Sequence, residues 1–180
     1  FRVWRQQRGF DSRNRLTMSQ ILNPGKPELF LPQRPPMLLV SRILEFTEDD
    51  VIAEADSKIL EPFRRPDGRL PETLCIEMMA QAVGAWAGYW RQQDKSDKPE
   101  DEKDAPIGYL LSARNLKIEV PVIPEGKTFR ITMHREVYEG PIGSFAGEMK
   151  DGDTLIATGR VSVYQPSNKE YRELFGGKAA

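Results

Sequence analysis

Two polar side chains interrupt an otherwise greasy stretch. From Leu74 to Trp90 the chain reads LCIEMMAQAVGAWAGYW, and only Glu77 and Gln81 break its run of apolar and small residues. In a helix, positions four apart lie one turn above each other on the same face. Thr73 stands one turn earlier, and Gly84 and Gly88 continue nearby. A carboxyl in such surroundings keeps its proton to higher pH than in water, because burial disfavours the charged form. That suits general acid–base work near neutral pH. Two readings stay open from the pattern: a glutamate bonded to backbone or to a partner subunit, and a carboxyl facing a substrate channel roofed by glycines. The other reactive side chains are few. One cysteine, Cys75, excludes an internal disulfide, and with one histidine, His134, it falls short of the four ligands of a structural zinc site. No cofactor is implied. In the segment 128–139, Phe129, Ile131, Met133 and Val137 share one face and His134 falls on the other, so His134 reads as a solvent-facing strand residue. Cys75 sits beside Ile76 with no base in view and reads as a small core residue.

The elements that must position these groups can be read along the chain. Its 180 residues suit one domain. A net charge of −1 gives no pull toward nucleic acid, and no apolar run approaches the roughly 20 residues that span a bilayer. Residues 1–28 read as an N-terminal extension, disordered or non-native. Its first 17 residues hold five arginines against one acid, Asp11, a composition like an organelle transit peptide or like sequence ahead of a true start at Met18. No apolar signal core is present, and the expected location is cytoplasmic. The domain proper is read as residues 29–166. Strands are expected over 37–46, 51–57, 107–120, 128–139, 143–149 and 154–164, with a long helix from about Pro71 to Gln92. Turn signals at Pro124-Glu125-Gly126, Glu139-Gly140-Pro141 and Asp151-Gly152-Asp153 separate the last four strands. Residues 94–104 carry nine charges in eleven positions and read as a solvated linker. The tail 167–180 is expected to fray. Hairpin succession with one apolar helix implies an α+β fold, an antiparallel sheet packed on that helix. Trp86, Tyr89 and Trp90 read as packing residues.

Several motifs together resemble a known family. Pro71 followed by Leu74-Cys75-Ile76-Glu77-Met78-Met79-Ala80-Gln81 resembles the helix motif of the hotdog-fold 3-hydroxyacyl-acyl-carrier-protein dehydratases. Leu31-Pro32-Gln33-Arg34-Pro35-Pro36-Met37 resembles that family's opening Leu-Pro-His, and Pro121 to Gly126 resembles its Pro-x-x-Pro-Gly turn with one residue inserted. Gly140 to Phe145 and Gly159 to Pro166 resemble the divergent branch associated with aryl polyene biosynthesis. The resemblance implies a hotdog fold, a long helix wrapped by an antiparallel sheet, paired as a homodimer or as a heterodimer with a paralogue. It implies loss of water from a 3-hydroxyacyl thioester borne on the acyl-phosphopantetheine arm of acyl carrier protein. Glu77 would protonate the leaving hydroxyl, and Gln81 would orient Glu77 or bond the substrate. Gly84 would roof the channel, and amides near Glu72 and Thr73 would polarise the thioester carbonyl.

One departure stands out. The family loop before the helix usually carries a histidine, and here Pro62 to Leu70 has none. The Leu-Pro-His position, the alternative in the divergent branch, is Gln33, whose amide cannot act as a general base. Gln33 could position a water or a hydroxyl. Three readings follow: a dehydratase-like enzyme relying on Glu77, a hotdog thioesterase using Thr73, Glu77 and Gln81, and a catalytically silent acyl-binding partner. Arg64, Arg65 and Arg69 precede the helix and read either as an ordinary charged loop or as contacts for a carrier's phosphate or acidic face.

Overall fold

The computed structural model describes residues 21–104 and 107–175. Seven strands form one antiparallel sheet: β1 (Ile21–Gly25), β2 (Arg42–Phe46), β3 (Asp50–Asp56), β4 (Tyr109–Ile118), β5 (Thr128–Glu139), β6 (Ile142–Asp151) and β7 (Thr154–Tyr164). Their order across the sheet is β1-β2-β3-β5-β6-β7-β4. The sheet wraps α1 (Leu74–Gln93), which packs on β2, β3, β5, β6 and β7. This is the α+β arrangement that the strand and helix patterns imply. No helix among the described residues is long and apolar enough to cross a membrane.

Alternation sets the register. On β5, Phe129, Ile131 and Met133 are fully buried, and they stand opposite Ala55, Ala53 and Val51 of β3, which are buried too. A shift of one residue would turn both apolar sets to solvent, so a single pairing wins. Phe46, Met78, Met79 and Phe145 fill the space between sheet and helix. The helix aromatics pack as expected. Tyr89 stacks on Phe46 at 4.8 Å, and Trp86 meets Phe145 edge-on at 5.3 Å while its Nε1 donates to the Thr47 carbonyl at 3.1 Å.

Three features depart from the sequence reading. First, β2 begins only at Arg42, not at Met37. The apolar residues 37–40 run irregularly, because the Met37 carbonyl and the Leu39 N–H are taken by a helix side chain and not by a neighbouring strand. Second, the sheet starts inside the segment read as an extension, since β1 pairs with β2. Third, the segment after Pro166 carries a helix, α2 (Asn168–Phe175). A capping box starts it: the Ser167 N–H donates to Glu170 at 2.8 Å, and the Glu170 N–H donates to the Ser167 hydroxyl at 3.2 Å. Helix α2 holds the charged linker, with Asn168 donating to the Glu100 carbonyl at 2.8 Å and Arg172 paired to Asp101. The basic residues 1–17 and the terminal Gly-Gly-Lys-Ala-Ala lie outside the described residues.

The segment from Phe30 to Gln33 runs against α1 at close range. A Cβ on Gly88 would sit 2.0 Å from the Phe30 carbonyl oxygen, and one on Gly84 would sit 3.0 Å from the Leu31 Cδ2. Backbone cannot yield as a leucine tip can. Gly88→Ala is therefore expected to lower unfolding free energy by about 1–3 kcal/mol, and Gly84→Ala by less than about 1 kcal/mol. Urea denaturation of both variants checks the contrast.

Candidate active site

One face of α1 is left uncovered by the sheet. Glu77, Ala80, Gln81, Gly84, Gly88 and Arg91 lie along it and line a cleft of about 160 Å³. The helix is thus not buried all round, as its composition suggested. Ile76, Glu77, Ala80, Gly84 and Ala87 remain partly exposed, because the described residues provide no further layer over them. One wall of the cleft is Leu31 to Gln33, and the other is formed by Gly108 to Leu110 with Val163 and Gln165. The first wall is pinned at both ends. Gln92 donates to the Leu29 carbonyl at 2.6 Å, and Arg34 folds back onto the carbonyls of Leu31 and Gln33, both at 2.8 Å.

Gln81 organises the site. It is 2% exposed. Its Oε1 accepts from the Leu39 N–H at 2.7 Å, while its Nε2 donates to the Met37 carbonyl at 2.7 Å and to Glu77 Oε1 at 2.8 Å. The amide orientation follows from the partners, since the reverse would set its N–H groups against the Leu39 N–H. Both amide hydrogens are spent, so Gln81 positions Glu77 and has no donor left for a ligand. The other carboxylate oxygen of Glu77 takes no hydrogen bond among the described residues. It sits on the wall of the cleft, half-buried and open to a guest.

Gln33 shares this cleft. Its Oε1 is buried, with no hydrogen-bond partner among the described residues. A buried acceptor left unmet costs about 1–3 kcal/mol, so it is a standing invitation to a donor. Gln33, Glu77, Gln81 and Gly84 are therefore brought together. Thr73 and Glu72 do not line the cleft. Thr73 is exposed just before α1, and Glu72 stands 3.8 Å from Arg65. The first N–H groups of the helix, those of Leu74, Cys75 and Ile76, already bond back to Pro71, Glu72 and Thr73.

The three loop arginines also stand away from the cleft lining. Arg64 bonds Glu61 and Glu125, and these carboxylates raise its already high pKa. Arg69 pairs with Asp67 at 2.7 Å. His134 is exposed, opposite Asp50 on β3, with its Nδ1 2.7 Å from that carboxylate. Burial pushes the Cys75 thiol up to about 12, so it carries no thiolate near neutral pH. The sequence reading passed over Arg91, Tyr109 and Gln165. Arg91 was within reach of spacing alone, because 77, 81, 84, 88 and 91 form one helical stripe. Tyr109 and Gln165 join the cleft only because β4 crosses over to pair with β7.

Comparison with known proteins gives this geometry a family. The model of the ApeP-like dehydratases matches residues 25–175. The 3-hydroxyacyl-[acyl-carrier-protein] dehydratase FabZ of Shewanella loihica is 30% identical over 138 residues, 73% of this chain and 84% of the relative. That of Syntrophobacter fumaroxidans is 27% identical over 148 residues, 80% and 94% of the two chains. Among solved structures, a chain of the dehydratase heterocomplex ApeI:P from Xenorhabdus doucetiae superposes with a TM-score of 0.72 at 31% identity, covering 83% of this chain and 97% of that one. The fold is the hotdog, and the chain belongs to the ApeP-like dehydratase family.

Proposed function

We propose that the protein removes water from 3-hydroxyacyl thioesters presented on the phosphopantetheine arm of acyl carrier protein, with Glu77 as the acid–base group. The observation that carries this is a carboxylate with one oxygen fixed by Gln81 and the other free toward a cleft with an apolar floor. Glu77 takes the C2 proton, leaving an enolate. It then returns that proton to the C3 hydroxyl, which departs as water while the C2=C3 bond forms. Gln33 accepts a hydrogen bond from the C3 hydroxyl and holds it toward Glu77. A single carboxyl serving both steps is slower than an acid and a base together, because one pKa cannot suit both transfers.

Pairing with a second subunit belongs to the same reading. Among the described residues strand β4 is a sheet edge, bonded only to β7, and Leu110 and Leu111 on it are 43% and 55% exposed. An apolar edge of this kind invites another strand. The Xenorhabdus neighbour is a heterocomplex, which favours a paralogue as the partner over a second copy. The test is enoyl formation from a 3-hydroxyacyl carrier substrate, with and without the paralogue. Release of free thiol would mark a thioesterase, and neither product would mark a silent acyl-binding subunit.

Gln33→His is expected to raise turnover by about 100-fold, the low end of what a general base contributes. Its rate should rise with pH through about 6.5 as the imidazole loses its proton. The pH–rate profile of the variant reads this directly, and a flat profile at the original rate would remove Gln33 from the reacting centre.

A further inference from the structure

Arg91 lies at the far end of the stripe that begins at Glu77. Both line the cleft, and so do Ala80, Gly84 and Gly88 between them. Fourteen residues at 1.5 Å each separate the two, so the cleft follows the helix for about 21 Å. Its floor is small and apolar, with charge only at the ends. Among the described residues no carboxylate pairs with the Arg91 guanidinium. The loop arginines differ, since Arg64, Arg65 and Arg69 each face one. A guanidinium needs no cleft to complement a helix C-terminus, because an exposed cation does that equally well. In a half-enclosed groove it attracts an anion more strongly than it would in open water.

We infer that Arg91 is the anion-binding end of the cleft, taking a negatively charged group of the ligand about 20 Å from the carbons that react at Glu77. The inference rests on the proposed placement of those carbons. Two parts of an acyl-carrier ligand could bring the charge. One is the phosphodiester of the pantetheine arm. About thirteen bonds separate its phosphorus from its sulfur, or about 15 Å extended, and the carbons out to C3 add about 4 Å. The sum matches the length of the groove. The other is an acidic group at the distal end of the acyl chain, with the arm leaving past Glu77. In both cases the anion lies over Arg91 and the apolar segment lies over the small residues between.

Calorimetry on the full chain separates these without any turnover. One pair of ligands is 4′-phosphopantetheine and pantetheine. The other is a long-chain N-acetylcysteamine thioester ending in carboxylate and its methyl-ended analogue. The wild type is expected to bind the anionic member of one pair at least tenfold more tightly. Arg91→Gln should erase that preference, and Arg91→Lys should keep part of it. Preference in the first pair assigns the arm, and preference in the second assigns the chain end. No preference in either pair, or one that survives Arg91→Gln, overturns the inference. Enoyl formation is assayed separately, so a protein that binds these anions without dehydrating would count against the proposed reaction alone.

Discussion

Glu77→Gln should lower the rate of enoyl formation by about 10²–10⁴-fold, the usual contribution of a positioned acid–base group. Its stability should stay within about 0.5 kcal/mol of the parent. The two expectations belong together. Among the described residues Glu77 makes one side-chain hydrogen bond, accepting from Gln81 Nε2 at 2.8 Å. A glutamine at 77 still offers a carbonyl oxygen to that donor and keeps the same length and shape. What it loses is the transferable proton. The loss should therefore fall on kcat, with KM nearly unchanged, because the cleft that holds the ligand is intact. The checks are initial rates on a 3-hydroxyacyl thioester and a denaturation curve from the same preparation. If turnover persists at the parental rate, Glu77 is not the acid, and the Glu77–Gln81 pair is a structural contact.

How much of this was legible in the residues depends on whether the deciding contacts were local. Strands β5 and β7 keep the bounds that alternation sets for them, 128–139 and 154–164, since each strand carries its own core face. Residues 37–40 mislead, because their apolar character is real but the Met37 carbonyl and the Leu39 N–H bond Gln81, more than forty positions away. Strand β1 is five residues long and ends Asn23-Pro24-Gly25, turn chemistry that hides a strand leaning on β2. Helix α2 was readable, since Ser167 and Glu170 form a capping box in the sequence itself.

The site divides in the same way. Glu77, Gln81 and Gly84 share a helical stripe and could be placed together by counting. Gln33 was placed only through the resemblance of its motif, because nothing local ties residue 33 to residue 77. The opposite wall needs the β4–β7 pairing, which no local pattern discloses. Composition also overstated the burial of α1. An apolar helix face reads the same whether its own sheet or another subunit covers it, and here Glu77, Ala80, Gly84 and Arg91 on that stripe stay partly exposed.

Gln81→Leu makes the complementary prediction, with loss of both stability and rate. The side chain links α1 to the segment before β2 through two hydrogen bonds and holds Glu77 through a third. Leucine has similar bulk and fills the buried position, so little of the cost comes from a cavity. The cost comes from polar groups left behind. Leu39 is fully buried, and its N–H would lose its acceptor where water cannot replace it. Met37 is 52% exposed, so its carbonyl can turn to solvent at small cost. One orphaned buried donor, plus the lost link to Met37, gives an expected destabilisation of about 2–3 kcal/mol in urea. The effect on rate has a different origin. Glu77 would keep its carboxyl but lose the contact that selects its rotamer, and misplacing a reacting group by about 1 Å can cost about 100-fold. Gln81→Leu should therefore depress kcat strongly even at temperatures where the variant is fully folded, whereas Glu77→Gln depresses kcat with stability spared. A variant at 81 that lost stability but kept its rate would make Gln81 a brace for residues 37–39, with no part in aiming the carboxylate.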